Sequence, residues 1–480
     1  MIFSVSHRRP TGPVALVSWL ALIFLSLLLG SAAPVQAQVF FGQGGPVRDF
    51  TGKDEAVRFP VVVKGLGIQT SAQFGLEGAC LSIAHPKTAD LKIELLAPDG
   101  TSIWLTNRNG GDRGADYRAT CFRMDGFNGY VYEGKSPFTG TYIPDGKLQF
   151  FNQGLNPNGT WYLLIHDLAA GNVGTLDQWS LSFGPHPAQP DFAACSPKSA
   201  AACHCPDGSG TCDLLPDLVV SEKIVRELHQ EYGATDPTYP RQIRLAVATA
   251  NIGWGPLETH GTGRWSCGAT PARDGRATCP DGRRARQEIV QVIYRREGDH
   301  MVTRNRPAGN NYFDERPGHN HYHADSWVDF TLRRRDPRQA DPRRWPVLGK
   351  GTKASYCLFD SGNCGEADGV CQTGRGQTVG QGTLPNFGFG HYVDCEATTQ
   401  GISVGGIDHY GISFEGQAIP IPAGTPNGSY FIVVEVDPLN LYQELDETNN
   451  IVVVPIELKL QEAVRSNTLK SSHKRPTRAQ

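Results

Sequence analysis

Asp90-Leu91-Lys92-Ile93-Glu94-Leu95-Leu96 runs directly into Ala97-Pro98-Asp99-Gly100-Thr101. Successive side chains on a strand point to opposite faces, so apolar residues at every second position mark a half-buried strand. The Pro-Asp-Gly-Thr run that follows is turn chemistry. Ile103-Trp104-Leu105 starts the next strand, and the pattern returns in Gly159–Asp167 and Gly174–Phe183. Strand after strand with turns between them predicts a β-sandwich over residues 38–186.

Composition extends this reading to the whole chain. Its 480 residues suit two or three domains, and 55 Gly with 33 Pro favour an all-β protein with many turns. The 45 basic and 48 acidic residues nearly cancel, so no global field draws the chain to nucleic acid. A basic start (His7, Arg8, Arg9), an apolar run (Val14 to Leu29) and Val35-Gln36-Ala37 read as a secretory signal over residues 1–37. The implied location is secreted, extracellular or periplasmic, with no membrane partner after cleavage.

The 12 cysteines of an exported chain are best read as disulfides. Proximity pairs Cys80 with Cys121, Cys267 with Cys279, Cys357 with Cys364 and Cys371 with Cys395. Cys195, Cys203, Cys205 and Cys212 make two further bridges, or a zinc knuckle with His204. They staple an irregular linker, residues 187–213. A second β domain, residues 214–460, has strands at Leu215–Val220, Ile243–Ala250, Glu288–Arg295, Ser326–Leu332, Ser355–Phe359, Tyr430–Val436 and Ile451–Leu458. The polar, basic stretch 461–480 reads as a disordered tail.

Chemistry concentrates in Gly318-His319-Asn320-His321-Tyr322-His323. On an extended strand His319, His321 and His323 would share one face. Three neutral imidazoles suit copper, zinc, nickel or iron. Downstream come Gly351-Thr352-Lys353-Ala354-Ser355-Tyr356-Cys357-Leu358, then Gly401-Ile402-Ser403 with Asp408-His409-Tyr410-Gly411, and Glu444-Leu445-Asp446-Glu447-Thr448-Asn449-Asn450.

Two resemblances follow from these blocks. Residues 38–186, through the Pro-Asp-Gly-Thr element, the Gly-Thr-Trp strand and Gly174-Thr175-Leu176-Asp177-Gln178-Trp179-Ser180-Leu181, resemble the P domain of proprotein convertases. That implies a jelly-roll sandwich used for stabilisation or attachment. From about Pro216 to Leu458 the chain resembles the catalytic domain of lysyl oxidases, in the order His-x-His-Tyr-His, Lys-Ala-Ser-aromatic-Cys-Leu, Gly-Ile-Ser…Asp-x-Tyr-Gly, Glu-x-Asp-x-x-Asn-Asn. This implies a β-sandwich-based domain with long loops. It implies copper on His319, His321 and His323, and a lysine tyrosylquinone made from Lys353 and Tyr410. A primary amine, either a small one or a lysine of an extracellular protein, would be oxidised to an aldehyde with release of ammonia and hydrogen peroxide. Asp408 and His409 are candidates for the base that takes the α-proton.

The lysyl oxidase resemblance also implies calcium held by Asp217, the Leu218 carbonyl, Glu444, Asp446, Asn449 and Asn450, an oxygen-only set drawn from two distant segments. The chain departs from the family in three places. Arg316-Pro317-Gly318 stands where the animal enzymes carry a tryptophan and a cysteine, with Cys371–Cys395 expected to replace the lost disulfide. Ile407 stands where they have a tyrosine, and a Gly-rich insert occupies about 369–390. Two other readings use the same residues: a non-catalytic adhesion sandwich, and a zinc hydrolase with three histidines around an activated water.

Overall fold

The computed structural model describes residues 36–111, 114–189 and 194–461. The expected signal, apart from its last two residues, and the expected basic tail, apart from Gln461, lie outside the described residues.

The alternation in residues 91–96 has its predicted result. Leu91, Ile93 and Leu95 are fully buried. Their strand, Leu91–Leu96, lies between Gly159–Asp167 and Ser102–Asn107, with Val57–Val63 at the far edge of the same four-stranded sheet. A five-stranded sheet, ordered Gln38–Val47, Gly174–Gly184, Gly75–Ala84, Tyr117–Phe122 and Phe138–Tyr142, supplies the other half of the core. Trp161 from one sheet and Trp179 from the other sit in that core with Phe122, Phe138 and Phe183.

The C-terminal half is also all β. Val328–Arg333 lies between Val347–Lys350 and Gly428–Val436, and Ile451–Leu458 pairs outside the latter. Trp327, Phe330, Ile432 and Val434 fill the core beneath them. A second sheet runs Leu218–Val220, Val247–Asn251, Gly406–Tyr410 and Gly362–Asn363. A third carries the long hairpin Arg286–Glu297 and His300–Asp314, with His321–Ala324 on its edge.

Several expectations change. Residues 243–250 form two strands, Gln242–Leu245 and Val247–Asn251, because they pair into different sheets. Residues 355–359 form no strand; a single bridge joins Tyr356 to Ala324. The linker contributes a strand, Thr211–Leu214, that pairs with Arg286–Glu297, and its bridges are Cys195–Cys203 and Cys205–Cys212. Two of the proximity pairings are wrong: Cys357 bonds Cys395, and Cys364 bonds Cys371. The short strand Gly362–Asn363 pairs with Gly406 and Ile407 and carries Cys364 away from Cys357. Cys395 is brought back beside the histidine strand, where its carbonyl accepts from the Tyr322 amide. The Gly-rich insert is pinned rather than free, since Val370, Val379, Leu384 and Phe389 are buried in a third core.

The two halves share buried contacts. Trp104 packs against the C-terminal core and Tyr132 against the third core, while Val393 packs against the N-terminal one. Phe150 meets His391 edge-on at 4.3 Å. Lys147 and Asp360 form an ion pair at 3.8 Å with both side chains buried. Removing one partner of such a pair strands the other charge, at a cost of about 3–5 kcal/mol. Lys147→Met should therefore lower the free energy of unfolding, read by denaturant titration, by that order, and an unchanged free energy would show that the pair does not hold the halves together.

Candidate metal centre

The histidine stretch is not one straight strand. Only His321–Ala324 is strand, and Asn320 before it has φ of 57°, in the left-handed region that Asn tolerates better than most residues. His321 and His323 share a face by the period of two, as expected. His319 reaches the same point from outside the strand, through the bend at Asn320. The three imidazoles converge all the same. Nδ1 of His319 is 3.2 Å from Nε2 of His323, and Nε2 of His321 is 3.0 Å from that same atom.

Burial first, and nearby positive charge second, hold all three histidines below the usual imidazole range, His321 at about 3. Neutral imidazoles with nitrogens aimed at one point are the ligand state of a metal site. The donor set therefore fits a transition metal of the kind that three neutral imidazoles suit, copper, zinc, nickel or iron.

Asp314 is a residue that sequence reading missed. It ends the hairpin strand and sits directly across from His321 in the register. Its carboxylate lies 3.2 Å from Nδ1 of His323, so it fixes the nitrogen that faces away from the cluster. Burial would raise the Asp314 carboxyl, but the Arg316 guanidinium holds it below the ordinary carboxylate range. Ser355 Oγ approaches the same Nδ1 at 3.5 Å, and the hydroxyl of Tyr312 hydrogen-bonds Ser355. A carboxylate five positions before the first histidine was the only signal available in the sequence.

Lys353 and Tyr410, 57 residues apart by number, meet beside the histidines. Lys353 Nζ is 4.9 Å from the centre of the Tyr410 ring and 5.1 Å from that of Tyr356. The Tyr410 ring is 6.5 Å from that of His323. Lys353 is 2% exposed, and its Nζ has no hydrogen-bond partner. Burial and the Arg316 charge lower its pKa to about 7. The Tyr410 hydroxyl accepts from the Cys357 amide at 2.7 Å, and burial pushes its pKa well above that of an ordinary phenol.

Strand Gly406–Tyr410 separates the two base candidates. Asp408 and Tyr410 are two apart and share a face; His409 points to the other side. There it stacks on Tyr132 of the N-terminal sandwich at 3.7 Å. Asp408 is buried, neither of its oxygens has a partner, and burial raises its pKa well above the carboxylate range.

The two acidic segments also come together. Asp217 accepts from Asn449 Nδ2 at 2.8 Å, and Glu444 accepts from the Leu218 amide at 2.6 Å and from Asn450 Nδ2 at 2.7 Å. Asp446 accepts from Thr448. The Oδ1 atoms of Asn449 and Asn450 are buried without partners, which fits an oxygen-ligated cation.

Residues 79–183 match the family model of the proprotein convertase P-domain, and residues 303–468 match that of lysyl oxidase. Human protein-lysine 6-oxidase is 31% identical over 135 residues, which is 28% of this chain and 25% of that protein. The chain thus spans about a quarter of the length of that relative. The transglutaminase-activating metalloprotease of Streptomyces mobaraensis is 30% identical over 128 residues, 27% of this chain and 13% of that protein. The solved serine protease of Aeromonas sobria shares 14% identity over 34% of this chain and 29% of its own, with a TM-score of 0.15.

Replacing a partner that orients a metal ligand typically lowers metal affinity about 10–100-fold. Asp314→Asn should do so for a divalent transition metal, read by competitive titration of Cu2+ and Zn2+ against a chelator; unchanged affinity would remove Asp314 from the site.

Proposed function

We propose that this chain is an exported copper amine oxidase that converts a primary amine, dioxygen and water to an aldehyde, ammonia and hydrogen peroxide. The observation that carries the reading is the Lys353 amine, out of water and without a hydrogen bond, 4.9 Å from the centre of the Tyr410 ring and beside three converging imidazoles. His319, His321 and His323 would hold the copper. With dioxygen, copper supplies the one-electron chemistry that turns a tyrosine phenol into an electrophilic quinone, and a lysine tyrosylquinone built from Lys353 and Tyr410 supplies the carbonyl that a substrate amine attacks.

The chain's own residues have separable tasks. Lys353 must offer a lone pair to the Tyr410 ring. Burial brings its pKa to about 7, so a large fraction of the amine is neutral near neutrality. The Cys357 amide holds the Tyr410 oxygen and so fixes the position of the ring. Asp408, on the same face as Tyr410, is our choice for the group that takes the α-proton; it would act from its ionised form, and burial raises the proton affinity of that carboxylate. His409 is left to the interface with Tyr132. Burial of all these groups excludes water from the site.

The remaining parts of the reading are structural and cellular. Six disulfides among the described residues, with no free cysteine, suit an oxidising compartment outside the cytoplasm. Asp217, the Leu218 backbone, Glu444, Asp446, Asn449 and Asn450 would bind calcium and tie the first strand of the C-terminal half to its last hairpin. The substrate class is a primary amine, free or on a protein lysine.

Two measurements test the reading. Chain loaded with copper under air should yield a cross-linked Lys353–Tyr410 peptide and a positive redox-cycling quinone stain. An unmodified Lys353 peptide at full copper occupancy would sink the proposal. Cross-link formation should also depend on pH in a defined direction. Below about pH 7 Lys353 is an ammonium ion and cannot attack, so the rate should rise as pH rises through that value and then level off. A rate that falls over pH 6–8 would contradict the assigned role of Lys353.

A further inference from the structure

The N-terminal sandwich reaches the histidines themselves. Lys92, Glu94 and Trp104 project from the same face of its four-stranded sheet, since Trp104 pairs with Glu94 in the register and Lys92 is two residues earlier. That face points away from the Leu91, Ile93 and Leu95 core. Trp104 crosses to the C-terminal half, where its ring meets Phe359 at 4.7 Å and stacks on His321 at 5.8 Å and 27°. Lys92 Nζ lies 4.9 Å from the centre of the Trp104 ring. Glu94 holds Lys92 at 2.7 Å and also contacts Nε2 of His166 at 3.2 Å. A second contact closes next to His319. A side chain on Gly318 would begin 3.2 Å from Cδ of Arg108 and 3.3 Å from Cδ1 of Leu168, both from the N-terminal sandwich.

The three histidines are not held alike. His319 and His323 are buried, and Asp314 orients His323. His321 is the more exposed of the cluster, and among the described residues no carboxylate or carbonyl is hydrogen-bonded to its ring. Ring contact with Trp104 stands where His323 has Asp314, while the outward nitrogen of His319, Nε2, is buried without a hydrogen-bond partner.

We propose that the N-terminal sandwich is a structural part of the metal centre, with Trp104 the residue that positions His321 and the Lys92–Glu94 pair the device that holds Trp104 in place. Within this arrangement the sandwich is more than an attachment module: one wall of the metal site belongs to it. The inference rests on the reading of the three histidines as a metal site, and does not need the quinone.

The test uses the full chain and copper alone. Trp104→Leu keeps apolar volume against Phe359 but removes the ring; Trp104→Phe restores a ring. Val393→Ala loosens the same interface at a side chain packed on the N-terminal core. Trp104→Leu should bind Cu2+ about 10–100-fold more weakly and show an altered electron paramagnetic resonance spectrum. Trp104→Phe should recover most of the affinity. Val393→Ala should lower the melting temperature without changing affinity or spectrum, as a purely structural contact would.

If the unmutated chain binds copper and Trp104→Leu matches it in affinity and spectrum, the inference fails while the metal site stands. If the unmutated chain binds no copper, the metal site fails and takes the inference with it. Should Trp104→Leu not fold, fluorescence decides. Copper quenches a neighbouring indole, so one equivalent should extinguish a smaller share of the emission in Trp104→Phe than in the unmutated chain. Equal quenching in both would overturn the inference.

Discussion

The site depends on keeping one amine out of water. Desolvation disfavours the charged form of lysine, and this is the largest influence on Lys353. The same desolvation keeps the three imidazoles neutral and lifts the Asp408 carboxyl. One physical effect therefore biases the protonation of five neighbouring groups; under the proposed function it leaves the imidazoles free to bind metal and the Lys353 amine free to attack, and it raises the proton affinity of Asp408. The cost is a pocket of polar atoms without partners: Lys353 Nζ and both Asp408 oxygens. A stable fold tolerates such a pocket only where the surrounding packing is strong. Here Trp327, Phe330 and the strands around Ile432 and Val434 supply that packing.

The second requirement is enclosure, and two halves of the chain share it. Lys147 with Asp360, Phe150 with His391, Tyr132 with His409 and Trp104 with His321 cross the boundary at separate points. Two of these four pairs involve residues of, or next to, the site. A module that served only as a tether would have no need to bury aromatic rings against the machinery it carries.

Much of this was legible in the sequence. Period-two alternation in residues 91–96 and the turn after it identified strands whose apolar faces are fully buried. The ordered blocks around His319, Lys353, Tyr410 and Glu444 identified residues that the fold brings together, because motif order survives whatever path the chain takes between them. What was not legible depends on that path. The pairing of Cys357 with Cys395 follows from sheet topology, which neighbour distance in sequence does not encode. Residues 355–359 look like a strand but are held by tertiary contacts with a single bridge. Asp314 is one acid among 48 acidic residues until register puts it opposite His321. Alternation puts Trp104 off the core face, between Ile103 and Leu105, and does not tell what it meets beyond that face.

Strand Gly406–Tyr410 has no spare length. Under the proposed function its even-numbered residues Asp408 and Tyr410 belong to the chemistry, while its odd-numbered residue His409 packs on Tyr132 of the N-terminal sandwich. Slipping a strand by one residue exchanges its faces. One inserted residue here would turn the phenol toward Tyr132 and the imidazole toward Lys353, defeating both at once. Variation in length is therefore closed to this chain at 406–410, and the Gly-rich insert upstream is held as well, by the Cys364–Cys371 bridge and by Val370, Val379, Leu384 and Phe389 in the third core.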